Sequence, residues 1–192
     1  MNRQNSKAVI LDAVEAVIAK AGAARMSLDS VAQKAGVSKG GLMYHFPTKK
    51  SLIKAVVDRL VEEFQTVVKE RMKKSDSHSD FPEVVLDCVL SSDEYRLRIG
   101  KVMLTACLSD CELLKPFDNM RQDVEREMRN SGVAEEKVGL ISYTIRGIIL
   151  RELLQSAPLA AREKTLLKRE LLLLVSDKNK NEINITRRRH GR

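Results

Sequence analysis

The chain has 192 residues, of which 43% are hydrophobic, 31% charged and only 4% aromatic, with no tryptophan. That balance excludes a disordered polar chain, and the longest apolar run, Leu171 to Val175, is far short of the ~18 residues that span a bilayer. The formal net charge is +8, and it is concentrated at the two ends of the chain.

Residues 1–50 hold eight Lys or Arg against three carboxylates, and residues 178–192 hold six against one. The residues between them carry 20 basic and 22 acidic side chains. A basic head on a near-neutral body points to a polyanion-binding module attached to something else. Asp12 and Glu15 lie inside the first apolar stretch, which argues against a signal peptide. Three cysteines, Cys88, Cys107 and Cys111, form no disulfide framework, so reduced thiols and a cytoplasmic location are expected.

In chain order, apolar residues at Ile10, Val14, Val17, Ile18 and Ala21 predict a helix from Lys7 to Ala21, stopped by Gly22. Ser27 is suited to cap a second, short helix whose inner face is Leu28, Val31, Ala32 and Ala35, ending at Gly36. Ser38 caps a third, running to His45 and closed by Pro47. Thr48 caps a fourth, with a stripe of Leu52, Val56, Leu60, Phe64 and Val67 that continues toward Lys73. Residues 73–80 read as a loop. Further helices are expected over 82–90, 93–108, 110–130, 135–155 and 159–176, with a capping box at Ser109 and Glu112 and with Pro158 in the first turn of the last. There is no internal repeat.

One stretch, "AGVSKGGLMYHFPTKK" from Ala35 to Lys50, combines three glycines and a proline with a Tyr-His-Phe triplet and three lysines. Gly36 suits a tight turn in the left-handed region, Ala32 lets two helices cross closely, and Val37 and Leu42 plug the angle. This is the logic of a helix-turn-helix, whose second helix enters the DNA major groove. Gly40 and Gly41 each cost about 1 kcal/mol inside a helix, but near its start they allow close approach to a phosphate or base edge.

The segment "SLDSVAQKAGVSKGGLMYHFPTKKSLIKAV", Ser27 to Val56, resembles the DNA-binding region of the TetR family of bacterial transcriptional regulators. The resemblance implies an all-α fold: an N-terminal three-helix helix-turn-helix DNA-binding domain over 1–47, and a helical bundle for effector binding and dimerisation over 48–177. Residues 178–192 are expected to form a basic, disordered tail. It further implies a homodimeric repressor of a palindromic double-stranded operator, released by an unknown small-molecule effector. No cofactor, metal or membrane partner is expected, and with His45, His78 and His190 in poor contexts no convergent acid, base or nucleophile set points to an enzyme. An activator with the same head, or a nonspecific nucleic-acid-binding protein, is the alternative.

The DNA-binding set is then Ser27, Ser38, Lys39, Gly40, Gly41, Met43, Tyr44, His45 and Lys49. Ser27 resembles a phosphate-contacting cap, Lys39 a base contact, and Lys49 a phosphate contact at the start of the fourth helix. Tyr44 and His45 occupy positions that touch backbone or bases, although a structural role for His45 is an alternative. Two departures stand out: the family commonly has Thr or Ser at Gly41 and Tyr at Met43, so those hydroxyl contacts are missing. Phe46 reads as a core plug.

In the body, the 135–155 helix is apolar around most of its circumference, and "LLKRELLLLV" behaves alike. A subunit interface is the expected second partner, through Ile141, Ile145, Ile148, Ile149, Leu167, Leu171 and Leu174. Met103, Cys107, Phe117, Met120 and Tyr143 are candidates to line an effector pocket, against the plainer reading that they are core. The capping box at Ser109 is expected to separate Cys107 and Cys111 onto different helices.

Overall fold

The computed structural model describes residues 3–22, 25–75, 77–155 and 158–176. Nine α-helices and two short 3-10 turns make up the described residues, with no strand among them. The basic segment 178–192, including Arg187–Arg189, lies outside them.

The head is built from α1 (Arg3–Ala21), α2 (Leu28–Ala35) and α3 (Lys39–His45). Helix α2 starts where the Ser27 hydroxyl accepts the Ser30 amide while the Ser30 hydroxyl accepts the Ser27 amide, a reciprocal cap. It ends at Gly36 with φ 67°, a left-handed conformation that a side chain would strain. Ser38 then starts α3 by accepting the Gly41 amide at 3.0 Å.

Helix α4 (Lys49–Met72) carries the chain from head to body, capped by Thr48 and Ser51 in the same reciprocal manner as α2. Its buried stripe is Leu52, Ile53, Val56, Val57, Leu60, Phe64 and Val68. The expected Val67 instead stands exposed, because the stripe steps from Phe64 by four residues, not three.

The body contains α5 (Phe81–Leu90), α6 (Asp93–Ser109), α7 (Lys115–Asn130), α8 (Glu135–Gln155) and α9 (Ala161–Ser176). A 3-10 turn, His78–Asp80, precedes α5, and a second, Cys111–Leu114, lies between α6 and α7. The expected box at Ser109 is not formed. Ser109 is the last residue of α6, and Asp110 turns out extended to cap the 3-10 turn through the Glu112 amide. Helix α9 starts two residues later than its pattern suggests, since the Leu159 amide is taken by Glu152 and the Ala160 amide by Glu163.

Two apolar clusters hold the molecule together. The first joins α1, α2, α3 and the first half of α4 to Ile99, Val102 and Ala106 of α6, Leu113 of the 3-10 turn and Phe117 of α7. The second joins Phe64 and Val68 of α4 to α5, Met128 of α7, α8 and α9. The apolar core of the head therefore continues past residue 48 into the body, and α4 belongs to both clusters. Helices α6 and α8 pack closely at Gly100, where a β-carbon would lie 3.4 Å from Leu153 and 3.5 Å from Ile149.

Two polar joints reinforce this packing. The Tyr95 hydroxyl donates to the Leu60 carbonyl at 3.1 Å while its ring stacks on Phe64, fixing α6 to the middle of α4. Burial pushes the Tyr95 phenol far above its ordinary range, so it remains a donor at any physiological pH. Arg96 and Glu152, 1% and 0% exposed, form a forked pair at 2.8 and 2.9 Å between α6 and α8. Arg96 also donates to the Val89 and Leu90 carbonyls and to Asp93.

Candidate nucleic-acid interface

Leu42 is fully buried and Phe46 is 4% exposed, so α3 is held by two side chains sunk into the head's core. Ala32 is buried and Val37 half-buried where α2 and α3 cross, as the turn logic requires. The other side of α3 faces outward. Ser38, Lys39, Gly40, Gly41, Met43 and Tyr44 are all exposed, Tyr44 by 67%. A short helix, rooted on one side and exposed on the other, is suited to insertion into a groove about 12 Å wide.

A β-carbon on Gly40 would meet nothing within 4 Å, so the protein's own packing does not demand glycine there. One on Gly41 would lie 3.2 Å from the capping Ser38 hydroxyl, so the cap itself favours glycine. His45 is half-buried, its ring meeting Tyr44 edge-on at 5.3 Å and Phe46 at 6.4 Å. Ser27 is exposed, with its hydroxyl already engaged in the α2 cap. Lys49 is half-buried in the first turn of α4, and Lys7 lies 6.0 Å from the Phe46 ring centroid.

Lys39 is paired across the turn with Asp29 of α2, its ammonium 2.9 Å from the carboxylate. Both side chains are more than half exposed, so the pair is worth no more than about 1 kcal/mol. Lys50, one of the eight basic residues counted in 1–50, pairs with Asp110 of the body. The Asp110 carboxyl is held below the usual carboxylate range by that hydrogen bond and by the Glu112 amide. Neither acidic partner was legible in the sequence, where they lie 10 and 60 residues from their lysines.

A further ionic joint links α1 to the body. Glu15, on α1, pairs with Arg59 of α4 and, at 2.9 Å, with Arg98 of α6, while Asp12 pairs with Arg59 at 2.6 Å and Glu63 with Arg98. These charges stand beside an open groove of about 700 Å³ between α4, the end of α5 and α6, lined among others by Arg59, Glu63, Phe64, Cys88, Tyr95 and Arg98.

None of the expected pocket residues lines that groove. Phe117 is buried in the first cluster, and Met103 and Met120 pack against the core. Tyr143 is 72% exposed on α8, under Arg146, and Cys107 is exposed at the end of α6. Cys107 is not isolated from Cys111, however: their sulfurs stand 3.5 Å apart.

The expected interface set also divides. Ile141, Ile148 and Leu171 are buried in this chain's own core, and Ile145, Ile149, Leu167 and Leu174 are half-buried. Exposed instead on α8 are Leu140, Tyr143, Leu150 and Leu154, and on α9 Leu166 and Leu173. Among the described residues, no group of three or more His, Cys, Asp or Glu stands close enough to hold a metal ion, and no helix is long and apolar enough to cross a membrane.

The three-helix head carries a helix-turn-helix and is continued into a helical body by the long α4. Residues 10–56 match the model of the bacterial regulatory proteins of the tetR family. The HTH-type transcriptional regulator TtgR of Pseudomonas putida is 39% identical over 59 residues, which are 31% of this chain and 28% of TtgR. The chain thus spans little more than a quarter of that relative's length in the match. A TetR transcription regulator from Haloarcula marismortui ATCC 43049 shares the fold with a TM-score of 0.74 at 16% identity, over 91% of this chain and 98% of that one. A transcriptional regulator from Rhodococcus sp. Rha1 does so at 0.72 and 20% identity, over 90% and 95%.

Proposed function

We propose that the protein is a homodimeric, sequence-specific repressor that binds a palindromic operator through α3 and releases it when a small molecule binds the body. The observation that carries this reading is the exposed outer side of α3, with Lys39, Gly40, Met43 and Tyr44 displayed on a helix anchored by Leu42 and Phe46. Lys39 is the base reader, able to donate to guanine O6 and N7, and Lys49 with the first-turn amides binds phosphate. The test is affinity for a selected palindrome against scrambled DNA at one salt concentration, with a large ratio expected.

In free protein the Asp29 carboxylate competes with DNA for Lys39. Asp29→Asn is therefore expected to tighten DNA binding by up to about five-fold at low salt, the upper worth of an exposed pair. Fluorescence anisotropy across a salt series checks this, and unchanged affinity at every salt would remove Asp29 from the account.

Dimerisation is assigned to the outward seam of α8. Leu140, Tyr143, Gly147, Leu150 and Leu154 recur at alternating steps of three and four, the spacing of a helix-packing seam. With Leu166 and Leu173 of α9, two copies would close a four-helix bundle about a dyad. Leu150→Lys is expected to give a monomer in sedimentation at micromolar concentration with its helix content intact; a persisting dimer would contradict the assignment.

For the effector we favour the groove beside Phe64 and Tyr95. A ligand there would meet Arg59 and Arg98, the side chains that tie α1 to the body through Glu15. Its preference for one arrangement of that joint would alter the spacing of the two α3 helices.

A further inference from the structure

Cys107 closes the last turn of α6 and Cys111 opens the 3-10 turn that follows. Both are exposed, their sulfurs are 3.5 Å apart, and the Cys111 thiol also lies 3.5 Å from the Cys107 carbonyl. The third cysteine, Cys88, is buried. Between the pair sits Asp110, which both caps the 3-10 turn and holds Lys50 in the first turn of α4. Leu113 and Phe117, immediately beyond, are buried in the same cluster as the head's own core. Whatever moves this corner therefore pulls on the root of the DNA-binding head through one ion pair and two buried side chains.

We infer that Cys107 and Cys111 form an oxidisable dithiol site, which peroxides convert to an intrachain disulfide that shifts the start of α4. The bond requires the sulfurs to close from 3.5 Å to about 2.05 Å. The movement falls on the corner at Asp110, the extended residue that follows the end of α6 at Ser109. The Cys111 thiol is pushed up, chiefly by its hydrogen bond with Cys107.

The chemistry is balanced as follows. The Cys107 thiolate attacks one peroxide oxygen and the O–O bond breaks; the hydroxide released takes up the proton lost by Cys107 and becomes water. The Cys111 sulfur then attacks the Cys107 sulfenic acid, the S–S bond forms, and a second water leaves with the Cys111 proton. Two thiols supply two electrons, and the peroxide accepts both. A cellular dithiol would reverse the reaction by exchange.

This site lies beyond the DNA-binding reading and its test needs no DNA. Reduced full-length protein is treated with hydrogen peroxide, and the remaining thiols are alkylated and mapped by mass spectrometry. Hydrogen exchange is followed over residues 48–54 in the same samples. The expected product is about 2 Da lighter in the peptide holding Cys107 and Cys111, with Cys88 still alkylatable. Exchange over residues 48–54 is expected to change on oxidation, to return with dithiothreitol, and to stay constant in Cys111→Ser. Oxygen addition to separate cysteines, or a disulfide between chains, would overturn the dithiol site. An intrachain disulfide that leaves the exchange of residues 48–54 unchanged would overturn its link to the head.

Discussion

Replacing Lys39 by alanine is expected to lower affinity for the selected operator by about 1–3 kcal/mol per half-site, roughly 5- to 150-fold for each. Binding to random DNA should fall far less, because there the side chain contributes only charge. The asymmetry follows from position: Lys39 is in the first turn of α3, exposed, and released from Asp29 at a cost of at most about 1 kcal/mol. Lys49→Ala is the matching control. As a phosphate contact at the head of α4, it should weaken both duplexes alike and reduce the salt dependence by about one counterion per half-site. Equal losses on both duplexes for Lys39→Ala would remove it as a base reader, whatever Lys49 does.

Arg96→Ala carries the largest expected effect on stability. The substitution leaves Glu152, with none of its surface exposed, as a buried carboxylate held only by the Leu159 amide, and strips the Val89 and Leu90 carbonyls of a donor. Breaking a buried pair from one side costs about 3–5 kcal/mol, which lowers the melting midpoint of a protein this size by roughly 6–20 °C. Arg96→Met with Glu152→Met should recover much of the loss, since no lone charge then remains buried.

The effect of pH has a definite sign. Burial pushes the Glu152 carboxyl up, but hydrogen bonds from Arg96 and the Leu159 amide outweigh it and hold the group below its ordinary range. A depressed carboxyl contributes stability that is present above the unfolded value of about 4.3 and is lost as pH falls through the folded one. The gap between wild type and Arg96→Ala should therefore be widest near neutral pH and narrow as pH falls through the carboxylate range. Denaturant titrations at several pH values measure it; a gap that widens in acid would reverse the assigned role of the pair.

What could be read from the sequence was whatever local chemistry decides. Ser27, Ser38 and Thr48 cap helices with their own hydroxyls, and Gly36 takes the left-handed turn, all within four residues of their partners. The turn and the exposed side of α3 follow from these, which is why the head was legible. Corners set by distant residues were not. Ser109 and Asp110 are both competent caps, and tertiary packing of Leu113 chose the second, which also brought the two thiols together.

Helix α8 is apolar on two sides, so composition alone could not say which side turns inward. The close approach of Leu153 and Ile149 to Gly100 on α6 decides it and leaves Leu140, Leu150 and Leu154 outside. The ion pairs of Lys39 with Asp29, of Lys50 with Asp110, and of Arg59 and Arg98 with Glu15 join residues 10 to 83 positions apart, and no periodicity announces such partners. Glu152 stands beside Arg151 within the apolar stretch 148–154, and its buried partner Arg96 lies 56 residues away, so nothing local marks the pair.

The most direct measurement is selection of bound duplexes from a random pool by the full-length protein at physiological salt. The account predicts enrichment of an inverted repeat whose half-sites are centred about one helical turn, roughly 34–36 Å, or a multiple of it apart, and loss of that enrichment with Lys39→Ala. Recovery of duplexes with no shared sequence, or of a repeat that Lys39→Ala selects equally well, would contradict it.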